Sequence, residues 1–371
     1  MDQTGRLSRL RSALEENRLD SLLVTHLPNI RYLSGFTGSA GALLVSDRDC
    51  ILFTDGRYRT QAKQEVDGAN VDRIVIARMS PLMAAAEWLI AHKRRPSPAR
   101  VGIEPESITA GMHDRLASVL NGRMRGTMKA RLRPAPPLVE RARMVKDAAE
   151  ILLIRQAVEL GASLFPIARK KIRPGVSEVE VAAAMEYEAR CAGAEGMSFP
   201  TILASGARSA IVHGRASAAR IPRRGFVVCD FGVILAGYCS DRTRTVHVGR
   251  PSREDRDLYE AVLEAQQAAI AAVRPGVTAA EVDGAARRAL RQRKLSRYFT
   301  HSTGHGLGLE IHEAPRLAEG QTQKLEPGVV ITIEPGAYIP GQCGVRIEDV
   351  VVVTSSGCEV LTPTDKELVI I

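Results

Sequence analysis

The chain has 371 residues, 45% hydrophobic and 25% charged, enough to bury sizeable cores in two domains. Its net charge of +9 raises nucleic-acid binding, with RMRGTMKARLRP at 123–134 as the best segment. That run interleaves no aromatic residue for base stacking, aromatic content is 4%, and Arg exceeds Lys along the whole chain, so no nucleic-acid partner is expected. No apolar run approaches the roughly 18 residues of a membrane helix and no signal-peptide core is evident; six scattered cysteines without a CxxC pair read as buried thiols of a reducing compartment. A cytoplasmic protein without a membrane partner is expected.

In chain order, MDQTGRLSRLRSALEENRLD is an amphipathic helix of mixed charge. SLLVTH, GALLVS, CILFTD and DRIVIA are short apolar strands separated by helical stretches such as 82–95, which predicts an α/β first domain. RLRPAPPLVERARMVKD, with its Pro cluster at 134–137, marks the junction and divides the chain into domains 1–137 and 138–371. Beyond it, RPGVSEVEV at 173–181 and RPGVTAAEV at 274–282 lie 101 residues apart. Each is a helix start, in which Pro and Gly close the preceding helix and Ser177 or Thr278 is the N-cap. Each then leads into a hairpin holding two acids, so a duplicated helix-plus-sheet unit is predicted.

The acids are Asp230 in VVCDFG, Asp241 in YCSDRT, Glu334 in ITIEPG and Glu348 in VRIEDV, and His305 joins them in TGHGLG. A turn near Leu235-Ala236-Gly237, flanked by residues 234 and 237, predicts that Asp230 and Asp241 oppose each other directly. A Pro340-Gly341 turn places Glu334 opposite Glu348 in the same way. Opposed side chains have Cβ atoms about 4.5–5.5 Å apart and like charges there repel, a penalty that a cation removes. One acid in such a segment is ordinarily a turn or surface residue. Two facing pairs and a Gly-flanked imidazole instead make a ligand set for two divalent cations sharing oxygens.

The ordered Asp, Asp, His, Glu, Glu set, with DFG…GYCSDRTRT, STGHGLGLEIHEAP, IEPG and GVRIED, resembles the pita-bread metallopeptidases over residues 146–371. That group includes methionyl aminopeptidase, aminopeptidase P and prolidase. The resemblance implies an α+β pita-bread domain with an internal pseudo-twofold duplication. It implies further that Asp230 chelates one metal, that His305 and Glu334 bind the other, and that Asp241 and Glu348 bridge them. Mn²⁺ is the implied metal, and Co²⁺, Zn²⁺ or Fe²⁺ would also suit this ligation. Creatinase and non-catalytic binding proteins share the fold without keeping the ligand set, whereas here no ligand is missing.

PNIRYLSGFTGSAGALLV and FTDGRY resemble the creatinase-type N-terminal domain of aminopeptidase P and prolidase, which methionyl aminopeptidases lack. His213, His301, His312 and Arg346 align with the Xaa-Pro-cleaving branch. With Glu334 as general base and then acid, they form the expected catalytic group, His213 and His312 steadying the tetrahedral intermediate. His26, His92, His113 and His247 read as surface or satisfied core residues. FTDGRYRTQA is closer to aminopeptidase P, so the expected activity is that of a homodimeric Xaa-Pro aminopeptidase acting on short peptides with proline second. The alternative is a prolidase, an Xaa-Pro dipeptidase, in which Arg57 or another basic residue of the first domain, in the same chain or across a dimer, caps the substrate carboxylate.

Overall fold

The computed structural model describes residues 3–66, 71–92, 99–122, 130–363 and 365–371. It divides into two compact units, Met1–Arg143 and Met144–Ile371.

In the first unit, helices α1 (Gln3–Glu16), α2 (Leu27–Ser34), α3 (Arg59–Val66), α4 (Pro81–Ala91), α5 (Ala110–Gly122) and α6 (Leu138–Met144) accompany one mixed sheet. Its strands are β1 (Ser21–Val24), β2 (Gly41–Ser46), β3 (Cys50–Asp55), β4 (Arg73–Ala77), β5 (Arg100–Ile103) and β6 (Arg131–Pro134), in the order β4-β3-β2-β1-β5-β6. The four predicted strands are β1 to β4. Leu23, Leu44 and Phe53 pack with Leu82, Ala85 and Leu116 of α4 and α5, which is why these strands read as continuous apolar runs. The predicted helix at 82–95 ends as α4 at Ala91, and its last three residues lie outside the described ones. Of the basic run, 123–129 also lies outside them, while 131–134 is β6.

The division falls at Arg143, six residues beyond the predicted boundary at 137. The reason is α6: Asn29 bonds to Glu140 (2.7 Å) and to Arg143 (2.7 Å), and the Tyr32 hydroxyl donates to Ala142 O. The Pro cluster bends the chain, but the helix after it belongs to the first unit.

The second unit is built twice. Helices α7 (Ala148–Lys171) and α8 (Glu178–Cys191) precede strands β7 (Gly196–Met197), β8 (Ile202–Ser205), β9 (Gly225–Asp230), β10 (Val233–Leu235), β11 (Tyr238–Cys239) and β12 (Thr243–Val248). Helices α9 (Arg253–Ala272) and α10 (Ala279–Gln292) precede β13 (Gly304–Gly306), β14 (Glu313–Leu317), β15 (Val330–Ile333), β16 (Gly336–Ile339), β17 (Cys343–Arg346), β18 (Asp349–Val353), β19 (Cys358–Val360) and β20 (Val369–Ile370). Phe165, Val181 and Met185 cover Val227, Cys229 and Val246 in one half. In the other, Val262, Ala265, Val282 and Ala286 cover Ile331, Ile333, Val351 and Val353. By length and apolar composition α7 would suffice to cross a membrane; here Ile154, Val158, Leu164 and Phe165 form its buried stripe.

The repeated nonapeptide makes the same joint in both halves. Gly175 and Gly276 take φ of +86° and +85°, and their N–H groups donate to Ile221 O (2.9 Å) and Leu325 O (2.8 Å). Ser177 with Glu180, and Thr278 with Glu281, form complete capping boxes.

The two hairpins differ in register. In the second, Ile333 pairs with Asp349 and Gly336 with Arg346, so Glu334 and Glu348 face each other as expected. In the first, Asp230 pairs with Thr243 and Leu235 with Tyr238, so Asp241 falls opposite Gly232, diagonal to Asp230. The turn is Ala236-Gly237, with φ of +48° and +80°. A two-residue hairpin loop of this kind needs left-handed backbone at both positions, so glycine sits inside the loop rather than flanking it.

The described cysteines are all free: Cys50, Cys229 and Cys239 are buried as expected, but Cys343 and Cys358 are half-buried and Cys191 is exposed at the end of α8.

Candidate metal centre

Each candidate ligand sits at a strand end or strand bulge. Asp230 ends β9, Asp241 leads into β12, Glu334 follows β15 and Glu348 precedes β18, while His305 occupies β13 where its register shifts. The structure brings all five together. One oxygen each from Asp230, Asp241 and Glu348 lie within 4.8 Å of one another. His305 Nε2 is 3.6 Å from Asp241 Oδ2 and 3.4 Å from Glu334 Oε1. Its Nδ1 donates to Gly306 O (2.9 Å), which fixes the tautomer and leaves Nε2 as a free ligand atom.

A frame of hydrogen bonds aims these groups. Arg346, 2% exposed, donates from Nη2 to Asp230 Oδ2 (2.5 Å), from Nε to Thr243 Oγ1 (3.1 Å), and from Nη1 to Tyr338 Oη (2.7 Å) and Val212 O (3.0 Å). Thr243 Oγ1 in turn donates to Glu348 Oε2 (2.8 Å), and Thr332 Oγ1 to Glu334 Oε1 (3.3 Å). His301 Nδ1 donates to Ser302 O (2.8 Å), so its Nε2 accepts from Tyr338 Oη (2.9 Å). His301 is thus joined to Arg346 through a tyrosine rather than aimed at the carboxylates.

His213 is exposed in the turn after β8, and His312 is exposed just before β14. The His312 ring meets that of His305 edge-on, centroids 4.4 Å apart. The Lys146–Glu313 ion pair (3.1 Å), almost fully buried, anchors the residue after His312. His247 is a fully buried core residue whose Nδ1 donates to Gly249 O, while its Nε2 lies 3.3 Å from Asp255 Oδ2 and makes no hydrogen bond among the described residues. In the first unit, Arg57 is exposed and forms a bidentate pair with Asp55.

Sequence reasoning missed Thr243, Thr332 and Tyr338. The first two stand two residues from a ligand, as does Arg346, and therefore on the same strand face. Applying the two-residue period outward from each acid would have found them. Tyr338 needs more, because its hydroxyl occupies the space that a Cβ at Gly336 would fill (2.4 Å).

The residues present fit divalent metals. Four carboxylates face one guanidinium. Burial first, and then the neighbouring carboxylates, hold Asp241 and Glu348 well above the usual carboxylate range. Burial pushes Glu334 up to about 8 and His305 down to about 4. Asp230 Oδ1 and Glu348 Oε1 are buried acceptors without a hydrogen-bond partner among the described residues. Such groups are costly unless a cation meets them, and an oxygen-rich set with one imidazole suits Mn²⁺-like ions.

This balance has a measurable consequence. Without cations the folded protein keeps the Glu334 proton up to about pH 8, whereas the unfolded chain releases it near 4.5. The folded state then binds more protons, and stability falls as pH rises through that window. Burial pushes both His305 and His301 down to about 4, which acts in the opposite sense but only up to the unfolded imidazole value of about 6.5. The metal-free protein is expected to lose a few degrees of melting temperature between about pH 6.5 and 8, a loss that saturating Mn²⁺ abolishes. A metal-free melting temperature that stays flat or rises across this range would contradict the assignment.

A model of metallopeptidase family M24 matches residues 153–355, and one of the creatinase/prolidase N-terminal domain matches residues 6–145. An Xaa-Pro dipeptidase of Pyrococcus horikoshii is 36% identical over 357 residues, 96% of each chain. Among solved structures, an Xaa-Pro dipeptidase from Bacillus anthracis aligns over 100% of both chains with a TM-score of 0.92 and 39% identity. An X-Pro aminopeptidase from Thermotoga maritima covers 97% of this chain and 100% of its own, with a TM-score of 0.86 and 34% identity.

Proposed function

Since the chain belongs to metallopeptidase family M24 and carries the creatinase/prolidase N-terminal domain, we propose that it is a dinuclear Mn²⁺ Xaa-Pro dipeptidase. The observation that carries the metal-dependent part is the convergence of five ligands around two orphaned buried carboxylate oxygens. The FTDGRY segment favours an aminopeptidase. Against it, two of the three relatives described above are Xaa-Pro dipeptidases, one aligned over the whole chain. The dipeptidase therefore becomes the main reading and the aminopeptidase the second, supported by the Thermotoga maritima relative.

Asp230, Asp241, His305, Glu334 and Glu348 would hold the two cations. When bound, the cations activate water and polarise the scissile carbonyl. Glu334 is the most accessible of the acids, its side chain 17% exposed against 7% for Asp241. It is placed to take a proton at its carboxylate and return it to the proline nitrogen as the bond breaks. His213 and His312, exposed on two loops, supply N–H donors to the developing oxyanion. Arg346 holds Asp230, Thr243 and Tyr338 in one rigid frame, so that the ligands need not reorganise.

The test is turnover of Ala-Pro, Ala-Pro-Ala and Met-Ala-Ser with Mn²⁺. Ala-Pro should be cleaved at least about tenfold faster than Ala-Pro-Ala, because a site that pairs the dipeptide carboxylate leaves its cationic partner unmet when the chain continues. Equal or faster cleavage of Ala-Pro-Ala would return the assignment to the aminopeptidase, and preferential release of Met from Met-Ala-Ser would remove proline specificity.

A further inference from the structure

Glu178 is fully buried at the first position of α8, and the helix start does not explain it. The capping box is complete with Ser177 and Glu180. In the second copy of the repeat, with an equally complete box, the corresponding residue is Ala279. Something in the first half alone must use this carboxylate.

Its two oxygens take the two ends of one loop. Oε1 accepts from Ser205 N (2.8 Å) and Ser205 Oγ (2.9 Å), at the end of β8. Oε2 accepts from Ser217 N (3.2 Å) and Ser217 Oγ (2.7 Å), twelve residues later. Arg208 Nε lies 3.2 and 3.1 Å from the two oxygens and neutralises the charge, while its Nη2 donates to Arg215 O (2.9 Å) across the loop. The residues between carry His213. The loop is pinned to the site as well: Val212 O accepts from Arg346, and Gly344 N donates to Ser209 Oγ (2.8 Å). Gly214 allows no side chain, since a Cβ there would lie 2.8 Å from Ala204 Cβ.

We propose that Glu178 is a positioning residue, a buried clasp that closes the 205–217 loop and presents His213 to the metal centre. It touches neither ligand nor substrate. Its contribution is preorganisation, since the ordering of a 13-residue surface loop is completed in the fold and not during each turnover. The proposal rests on the catalytic role assigned to His213 above.

A double-mutant cycle on the Mn²⁺-loaded enzyme tests it. Glu178→Gln keeps one acceptor oxygen and turns an NH₂ group toward serine donors, which releases one loop end. It should lower kcat about 10- to 100-fold, as a misplacement near 1 Å does, with KM and metal content nearly unchanged. In a His213→Ala background the same change should cost less than about twofold, because the group being positioned is gone. Independent, multiplicative losses, or loss of the metals, would overturn the proposal. Should Glu178→Gln fail to fold, Ser217→Ala removes a single arm and should show a smaller kcat loss with the same non-additivity; additive losses there would overturn the proposal equally. Amide exchange supplies a readout that needs no activity: residues 206–216 should exchange faster in Glu178→Gln while β9 and β12 keep their protection, and unchanged exchange would overturn the clasp. A wild-type enzyme inactive on every Xaa-Pro peptide would instead defeat the functional reading, and the exchange result would still decide the clasp.

Discussion

Alanine at Asp241 or Glu348 is expected to abolish peptidase activity while the protein remains folded. Both side chains lie in the buried centre of the cluster, and the family resemblance assigns them as the two bridging ligands. Removing a residue that would serve both cations would disturb both, so the loss should exceed the about 10²–10³ that deletion of a single transition-state donor costs. More than one metal equivalent should be lost from each variant. Chelation of the unmutated enzyme should abolish activity in the same way, and Mn²⁺ should restore it. The stability signature separates this from simple damage. Asp241 is held above the usual carboxylate range by burial and by Glu348, Asp230 and Glu334, so deleting it relieves repulsion in the metal-free state. At pH 8 metal-free Asp241→Ala should melt at or above the metal-free wild type, yet gain no stability from Mn²⁺. Activity that survives chelation, or a variant that keeps both metals and turnover, would refute the dinuclear centre.

What could be read from the sequence follows the range of the interactions involved. The N-caps at Ser177 and Thr278 and the strands β1 to β4 rest on neighbours a few residues apart, and the structure contains them as expected. The facing of Glu334 and Glu348 needed only the turn between them. The first hairpin failed by a single turn position, yet a one-residue error on each side moves Asp241 from directly opposite Asp230 to the diagonal. That shift puts Thr243 opposite Asp230, where its hydroxyl can receive Arg346 and donate to Glu348. Contacts of this kind join residues about a hundred positions apart. Tyr338 and Glu178 were missed for a related reason, because their side-chain partners lie on other elements, Arg346 and His301 for Tyr338 and Ser205, Arg208 and Ser217 for Glu178. The boundary was misplaced on similar grounds: the Pro cluster is a local signal, but the partners of α6 at Asn29 and Tyr32 are more than a hundred residues away.

His213→Ala and His312→Ala should leave both metals bound and the melting temperature nearly unchanged, while kcat falls about 10²–10³-fold. Both residues are exposed, and substitutions at such positions usually move stability by less than about 0.5 kcal/mol. Their chemistry belongs to the site even so. Although the residue as a whole is exposed, desolvation of its imidazole, whose ring meets that of His305, and then the nearby His213 lower the His312 pKa, which keeps the imidazole neutral and a single N–H donor near neutral pH. His301 makes the contrast that gives the experiment its force. It is half-buried and accepts from Tyr338 Oη, which is itself held by Arg346. Its removal leaves the buried Tyr338 hydroxyl short of a partner, at a cost of about 1–3 kcal/mol. His301→Ala should therefore lower the melting temperature visibly along with kcat, whereas the two loop histidines should lower kcat alone. If His213→Ala or His312→Ala instead sheds metal or melts early, that histidine is a ligand or a structural residue, and oxyanion stabilisation must come from elsewhere in the site.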